Sequence, residues 1–565
     1  MKVRRWLRLL CRIGKVAFPA KGLAFLGFLL LCVMGCSGWE PETHVVPPAA
    51  PYVPSPPAIH LIIRDGDSLS PLPARAIVYP LAGTPKPNFK SDGATASVYA
   101  PGVIGSPEGV LLMSGEATFP IPVGTYELWI LQGTEYEIVK KAVSVTEDKI
   151  TEVDVTLEHT VNTGDWLAAD MHIHTQRSFD SKLLAAHRVI SEVTSGIQVI
   201  VPTEHGSHND LSEYVKLLNY SSRAVSIPGS EYNFQGGHAG IYPVVYDPTG
   251  FQGGAPPWQE WPKPNMADPE TYFPLIHVQN GNPLIVINHP RLPPDLGYFL
   301  NISWKPGMVL KTAHLFEGIE VLNGYAMRPF DVADLLHDWF TLLNQGYRIA
   351  GLGNSDTHRI DWLRAGYPRT WLGLPTPDPA RVLPSDLREA ILAQRAIASN
   401  GPFVQLTIDG KTLGQTARAE SGKVTAKIVA DAPAWIDLTR LQIYTNGALT
   451  KEIPITNRAH PALQAELSLN VPTDGWVLVL ALGDQALPID VIGAVNGGQA
   501  LPIAFTNPIW IDADGDGKVT PPNTVPARPL PWKQAALSKE ERPRMWETIH
   551  APLDCEPFDY PEWLN

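Results

Sequence analysis

Residues 168–180, AADMHIHTQRSFD, set His172 and His174 one residue apart, with Asp170 and Asp180 to either side. On an extended strand, side chains at i and i+2 leave the same face, so both imidazoles address one point in space. H-x-H alone is weak evidence, but comparable clusters close several later apolar runs. GIQVIVP leads into Thr203-Glu204-His205, RAVSIPG into Ser230-Glu231, PLIVIN into His289-Pro290-Arg291, and YRIAGLGN into Ser355-Asp356-Thr357-His358. Eleven of the 16 histidines lie between His172 and His358. Imidazoles mixed with carboxylates and no thiol suit zinc, manganese or iron, and argue against a structural zinc finger. The ligands outnumber what one tetrahedral ion needs. Two or three divalent ions sharing bridging carboxylates would use them, and such clusters clamp both sides of a displacement at phosphorus or carbon. The expected chemistry is hydrolysis by a metal-activated water, with Asp356 or His205 moving the proton.

The elements that must carry these residues are read from the same runs. Between 160 and 400, apolar runs alternate with helix-like stretches such as DSKLLAAHRVISEVTSG and PSDLREAILAQRAIASN, which signals an α/β domain. Polar clusters at the C-terminal ends of several strands are the mark of a barrel or related α/β enzyme. Residues 58–159 read instead as short alternating strands with Gly, Pro and Asp turns, a small β-sandwich. Its PVGTYELWI stretch resembles the carboxypeptidase-regulatory-like sandwiches. The strand pattern returns over 401–525 as a second sandwich, and 526–565 is a Pro/Trp-rich tail.

Taken in order, H-x-H, T-(D/E)-H, G-x-E, a lone His, H-P and D-x-H resemble the PHP (polymerase and histidinol phosphatase) superfamily of metal-dependent hydrolases. A sandwich before DMHIHT, the phrase GNSDTH and the late AFTNPIWIDADGDG are similar to its carbaryl-hydrolase-like (CehA/McbA-type) branch. The resemblance spans roughly residues 60–520. It implies a multidomain chain whose central α/β unit is a distorted (β/α)7 barrel flanked by the two β-sandwich domains. It further implies that His172 and His174 bind one ion and that Glu231 bridges it to a second. His205, His238 and His289 would complete the other positions, and Asp356 with His358 would close the cluster. Asp180 falls where members carry a histidine or an aspartate ligand. Glu204 departs from the commoner T-D-H, its extra methylene making it either a ligand or a residue out of reach. The substrate implied is a small phosphoester, or a carboxyl or carbamate ester. Arg177, Arg291 and Arg359 each adjoin a ligand motif and are candidates to grip an anionic substrate. The amidohydrolase superfamily also opens with H-x-H, but usually ends on a lone Asp; the Asp356-x-His358 pair favours PHP.

Other classes find little support. The chain holds no G-x-S-x-G elbow, no G-x-G-x-x-G and no Walker loop. Acidic residues outnumber basic ones, 57 to 44, so no nucleic-acid partner is expected. A non-catalytic envelope lipoprotein with a scaffold barrel is the remaining alternative. Residues 1–36 read as a signal peptide, with basic residues before LAFLGFLLLCVMGC. VMGC resembles a lipobox, which would make Cys36 the lipidated start of a mature protein anchored in the bacterial envelope or, failing that, secreted; an uncleaved anchor or ordinary signal peptide is the alternative. Residues 37–57 form a Pro-rich linker. Finally, DADGDGKVT spaces Asp512, Asp514 and Asp516 as in a calcium loop, but without the closing glutamate, so a calcium site and an acidic turn both fit.

Overall fold

Strands that alternate buried and exposed residues have one wet face, whereas uninterrupted apolar runs need cover on both. Both kinds occur in the computed structural model. It describes residues 55–532, apart from 235, 257–267, 280, 294–295, 458 and 494–498. The expected signal peptide, Cys36, most of the linker and the tail beyond 532 lie outside the described residues. Among those described, no helix is long and apolar enough to cross a membrane.

The first hundred described residues form two sheets. Ala58–Asp65 pairs antiparallel with Glu116–Pro120 and parallel with Ile150–Leu157. Six antiparallel strands, with Gly109–Leu112 and Ala74–Pro80 at their centre and Gly124–Leu131 next to the latter, make the other sheet. In Ile150–Leu157, Val153, Val155 and Leu157 are buried while Asp154 and Thr156 are exposed, the alternation of a half-covered strand. Those three valine and leucine side chains share a core with Ile59, Leu61, Val78 and Leu128 from both sheets. Ile77, which points the opposite way to Ala76 and Val78, packs instead with Val189, Ile190 and Val193 of the helix Ala185–Val193. Part of the outer face of the six-stranded sheet, at Ile77, Ile104, Leu111 and Leu131, therefore joins the core of the segment that follows the paired histidines, while Ala142 and Ser144 of the strand Val139–Val145 stay exposed.

The strands that end at the polar clusters are divided between two sheets. Val225–Ser226, Val199–Pro202 and Trp166–Ile173 run parallel, and Arg369–Gly373 and Ala396–Ser399 follow antiparallel. The second sheet holds, in order, Ser230–Phe234, Gly237–Tyr242, Leu284–Ile287, Gly318–Asn323 and Ala350–Asn354, the last three parallel. Leu167, Ala169 and Met171 of the first sheet share a core with Val286, Ala350 and Leu352 of the second. At the end where the clusters lie, the isolated parallel bridges Ile173↔Thr357 and His205↔Glu231 tie the two sheets together.

At residue 400, the expected edge between the α/β unit and the second sandwich, strand pairing crosses from one side to the other. Ala396–Ser399 pairs antiparallel with Ile503–Thr506, which pairs with Gly475–Leu482, and the sheet continues through Arg440–Thr445 to Ala448–Pro454. Gly475–Leu482 explains why its sequence is GWVLVLAL. Val477, Val479 and Ala481 face a three-stranded sheet containing Phe403–Ile408 and Lys423–Asp431, while Trp476, Leu478 and Leu480 pack on the helix Pro329–Asn344 through Leu336, Trp339 and Phe340. Asn507 adds a polar rivet between the halves. Its amide accepts from Gly351 N (2.9 Å) and donates to the carbonyls of Gly351 (2.8 Å) and Ala396 (2.9 Å), all out of contact with water. Replacing it by alanine should cost about 3 kcal/mol, because buried polar partners would be left unpaired. Denaturant unfolding of Asn507→Ala checks this, and a chain ending at residue 400 should fail to give a cooperative transition.

Candidate metal centre

The end of Trp166–Ile173 is clamped to the D-x-H segment by backbone bonds: Asp356 N donates to His172 O (2.8 Å), and His174 N donates to Thr357 O (3.0 Å). Arg188, fully buried, ties the same two segments from beneath, donating to His174 O, Thr357 Oγ1 and Thr357 O. Asp170 takes no part in the cluster; its carboxylate accepts from Ser355 N and Gly366 N and so holds the loop that carries Asp356. Asp356 itself has φ 56° and His289 φ 29°, left-handed values that side chains rarely adopt. Such strain gathers where a side chain must be aimed.

This framework brings nine of the expected residues together, namely His172, His174, Asp180, His205, Glu231, His238, His289, Asp356 and His358. Glu231, fully buried, is the hub. Its Oε1 lies 3.3 Å from His172 Nε2, 3.3 Å from His238 Nδ1 and 3.5 Å from His289 Nε2. Its Oε2 lies 3.4 Å from His174 Nε2 and 3.3 Å from His205 Nδ1. Asp356 Oδ1 faces His172 Nε2 at 3.2 Å and His174 Nε2 at 3.4 Å. Asp180 Oδ2 faces His205 Nε2 at 3.2 Å and His358 Nε2 at 3.0 Å. Most of these separations are long for a hydrogen bond. They match the edge of a tetrahedron, about 3.3 Å when ion–nitrogen bonds are about 2.0–2.1 Å. His174 Nε2 and His205 Nδ1 are buried without a hydrogen-bond partner. Buried donor atoms of the right chemistry, left unbonded at coordination spacing, fit divalent ions.

The groups behind the cluster set the tautomers. His172 Nδ1 donates to Glu320 Oε1 (2.9 Å), which turns the Nε2 lone pair towards Glu231 and Asp356. Glu320 is fixed in turn by His289 N, Asn323 Nδ2 and Asn354 Nδ2. Ser178 Oγ donates to Glu204 Oε2 (2.8 Å) and therefore accepts from His174 Nδ1 (2.8 Å). Glu204, for which a ligand role and a place out of reach were both open, is not among the grouped ligand atoms. Its two oxygens are taken up by Thr175 N, Thr175 Oγ1, Ser178 Oγ and Asn209 Nδ2, and it acts on His174 through Ser178. Asn288 Nδ2 donates to Glu231 Oε1 (2.8 Å). Glu320, Ser178, Asn209 and Asn288 were not singled out from the sequence. Only Glu320 carried a signal, as the lone charge in the apolar strand GIEVLN.

The candidate substrate-gripping arginines part company. Arg291 is paired with buried Asp338 through two nitrogens, and Arg359 with Asp361 and the Asp92 carbonyl. Arg177 is exposed and, among the described residues, reaches only neutral oxygens, those of His208, Asn209 and Tyr246, at 3.4 Å. In the last sheet the acidic group near the calcium-like stretch is Asp474, Asp512 and Asp514; Asp516 is not in it. Asp512 accepts from Gly515 N and Gly517 N, which is the bonding of a tight turn.

No family model and no curated protein matches the chain.

Burial opposes charge on His172, His205 and His358, where pairing with carboxylates overrides it, whereas at His174 and His238 burial prevails. Burial would lower His205, but Glu231 and Asp180 outweigh it and push it up to about 9. His172 and His358 are raised by the same balance, whereas burial reinforced by His358 takes His174 down to about 3. A folded value of about 9 for His205, against 6.5 when unperturbed, means that its proton stabilises the fold below pH 6.5 and that this contribution is lost as pH rises through 9. The metal-free protein should therefore melt at lower temperature at pH 9 than at pH 6.5. Metal uptake should tighten over the same interval, because protons and ions compete for the same nitrogens. Melting curves with and without chelator at the two pH values decide both signs.

Proposed function

We propose that the chain is a metal-dependent hydrolase of the PHP type, built on a distorted barrel and acting on a phosphoester or a carboxyl or carbamate ester. The observation that carries this reading is the convergence of six imidazoles and three carboxylates on shared points, with Glu231 facing five of the imidazoles. Two or three Zn, Mn or Fe ions would be held there. His172, His174 and Asp356 would serve one, and Glu231 would serve with His172 and His289 on one side and with His205 and His238 on the other. Asp180, His205 and His358, with His174 alongside, would serve a third. When bound, such ions supply hydroxide near neutral pH and steady the charge that grows on the attacked group.

The chain's own residues do the rest. Glu320 and the Ser178–Glu204 pair hold His172 and His174 in the tautomer that offers Nε2. Asn288 fixes the hub carboxylate. Asp356 keeps one oxygen towards His172 and His174 and the other towards Asn323 Nδ2 at 3.3 Å, a placement that suits a proton acceptor beside the reacting group. His205 offers both ring nitrogens to carboxylates and suits the same task. Display on the bacterial envelope through Cys36 belongs to the same proposal and rests on the N-terminal sequence alone.

Metal content per chain, read by plasma mass spectrometry, tests the reading directly. Wild type should carry two or three equivalents of transition metal after purification or reconstitution. His172→Ala combined with Asp356→Ala should lose most of it, and with it at least about 10³-fold of any ester or phosphoester hydrolysis, since ligand and proton acceptor go together. A wild type that takes up no transition metal would sink the proposal.

A further inference from the structure

Tyr325 stands in the turn Gly324–Ala326, just past the strand Gly318–Asn323. Its N–H donates to Asn323 Oδ1 (2.9 Å). The same asparagine donates to Asp356 Oδ2 and to Glu320 Oε2, so one side chain fixes both Tyr325 and a member of the metal cluster. The Tyr325 ring lies edge-on to His358, with centroids 6.2 Å apart and planes at 78°, and edge-on to Trp362 at 5.5 Å and 82°. The ring is fastened on two sides.

The hydroxyl is not fastened, and it makes no hydrogen bond among the described residues. Tyr214 and Tyr347, also half-buried, share this, whereas other tyrosines are bonded. Tyr126, Tyr136, Tyr220 and Tyr367 all donate to carbonyl or carboxylate oxygens. Tyr242 is another exception, but its oxygen is sealed inside the core. Tyr325 is only half-buried, and its oxygen is not among the sealed, unbonded atoms. A phenol is a neutral O–H donor at ordinary pH, and the anionic groups that act on this one are Asp356, Asp180 and Glu231. Those three carboxylates are the three anionic members of the cluster. A fixed, neutral, unspent O–H beside such a centre is suited to a charged oxygen that arrives with the substrate or develops during reaction.

Resting on the hydrolase reading, we propose that Tyr325 is a further catalytic residue whose O–H donates a hydrogen bond to a negatively charged oxygen of the bound ester or phosphoester. Removing one such donor typically costs about 10²–10³-fold in kcat in a closed site, and about 10–100-fold is expected at this half-open one.

The test is Tyr325→Phe in the full chain, loaded with metal, which deletes one oxygen and keeps the ring. Metal content and melting temperature should match wild type, kcat should fall about 10–100-fold, and KM should change by less than about threefold. Inorganic phosphate, titrated calorimetrically as a probe, should bind about tenfold more weakly. Unchanged kcat and phosphate affinity would overturn the proposal. A variant that loses metal or stability would also overturn it, by assigning Tyr325 to packing against His358. A wild type that binds metal yet cleaves no ester or phosphoester would fail the hydrolase reading instead, and the phosphate titration would still decide whether Tyr325 is a donor.

Discussion

A carboxylate with no access to water and five imidazoles around it is the constraint on which the rest of the structure turns. Glu231 would be costly to bury alone, since a lone buried charge loses several kcal/mol of solvation. The ring nitrogens offset that cost only while each is aimed at a particular carboxylate oxygen. Much of the surrounding structure is the means of aiming them. His172 and His174 are set by the end of one strand and by backbone bonds to Thr357 and Asp356. His205 is placed opposite Glu231 by a bridge between the two sheets. The left-handed turns at His289 and Asp356 are local costs accepted for the same purpose.

Around the hub, the second layer is polar but closed. Glu320, Glu204 and Asp170 are buried carboxylates whose oxygens are taken up by neighbours in the protein: Glu320 by His172, His289, Asn323 and Asn354, Glu204 by Thr175, Ser178 and Asn209, and Asp170 by Ser355 and Gly366. The distinction between the layers is one of unspent valence. Outer carboxylates are satisfied by protein donors, whereas His174 Nε2, His205 Nδ1 and Asp180 Oδ1 are buried without a hydrogen bond. On the proposed reading, the open atoms of the cluster would take the ions and the satisfied ones would hold their ligands still.

The sequence made the inner layer legible because its residues are rare types at fixed offsets behind apolar runs, from H-x-H at His172 to D-x-H at Asp356. The outer layer was far less so. Ser178, Asn209 and Asn288 are ordinary loop residues whose role depends on partners up to 57 positions away, as for Asn288 and Glu231. Glu204 shows how one methylene decides between layers, since its carboxylate is bonded to Thr175, Ser178 and Asn209 and not set among the ligand atoms. The strands themselves were readable as strands, but their partners were not. A four-residue run such as Ile503–Thr506, buried on both faces, has no alternation to say which neighbour it takes, and it takes Ala396–Ser399 across the expected boundary at 400.

The location of the cluster follows from that division into sheets. His172, His174 and His205 come from the ends of the first sheet, and Glu231, His238, His289, Asp356 and His358 from strands or strand ends of the second. The bridges that join the sheets at this end are made by these same segments. Closing the seam and assembling the donor atoms are thus one event. In the metal-free protein the seam rests on imidazole–carboxylate pairs, whose strength depends on protons. Ions shared across it would replace proton-dependent pairing with coordination to both sheets, and folding stability would then rise with metal occupancy as for any ligand that binds only the native state.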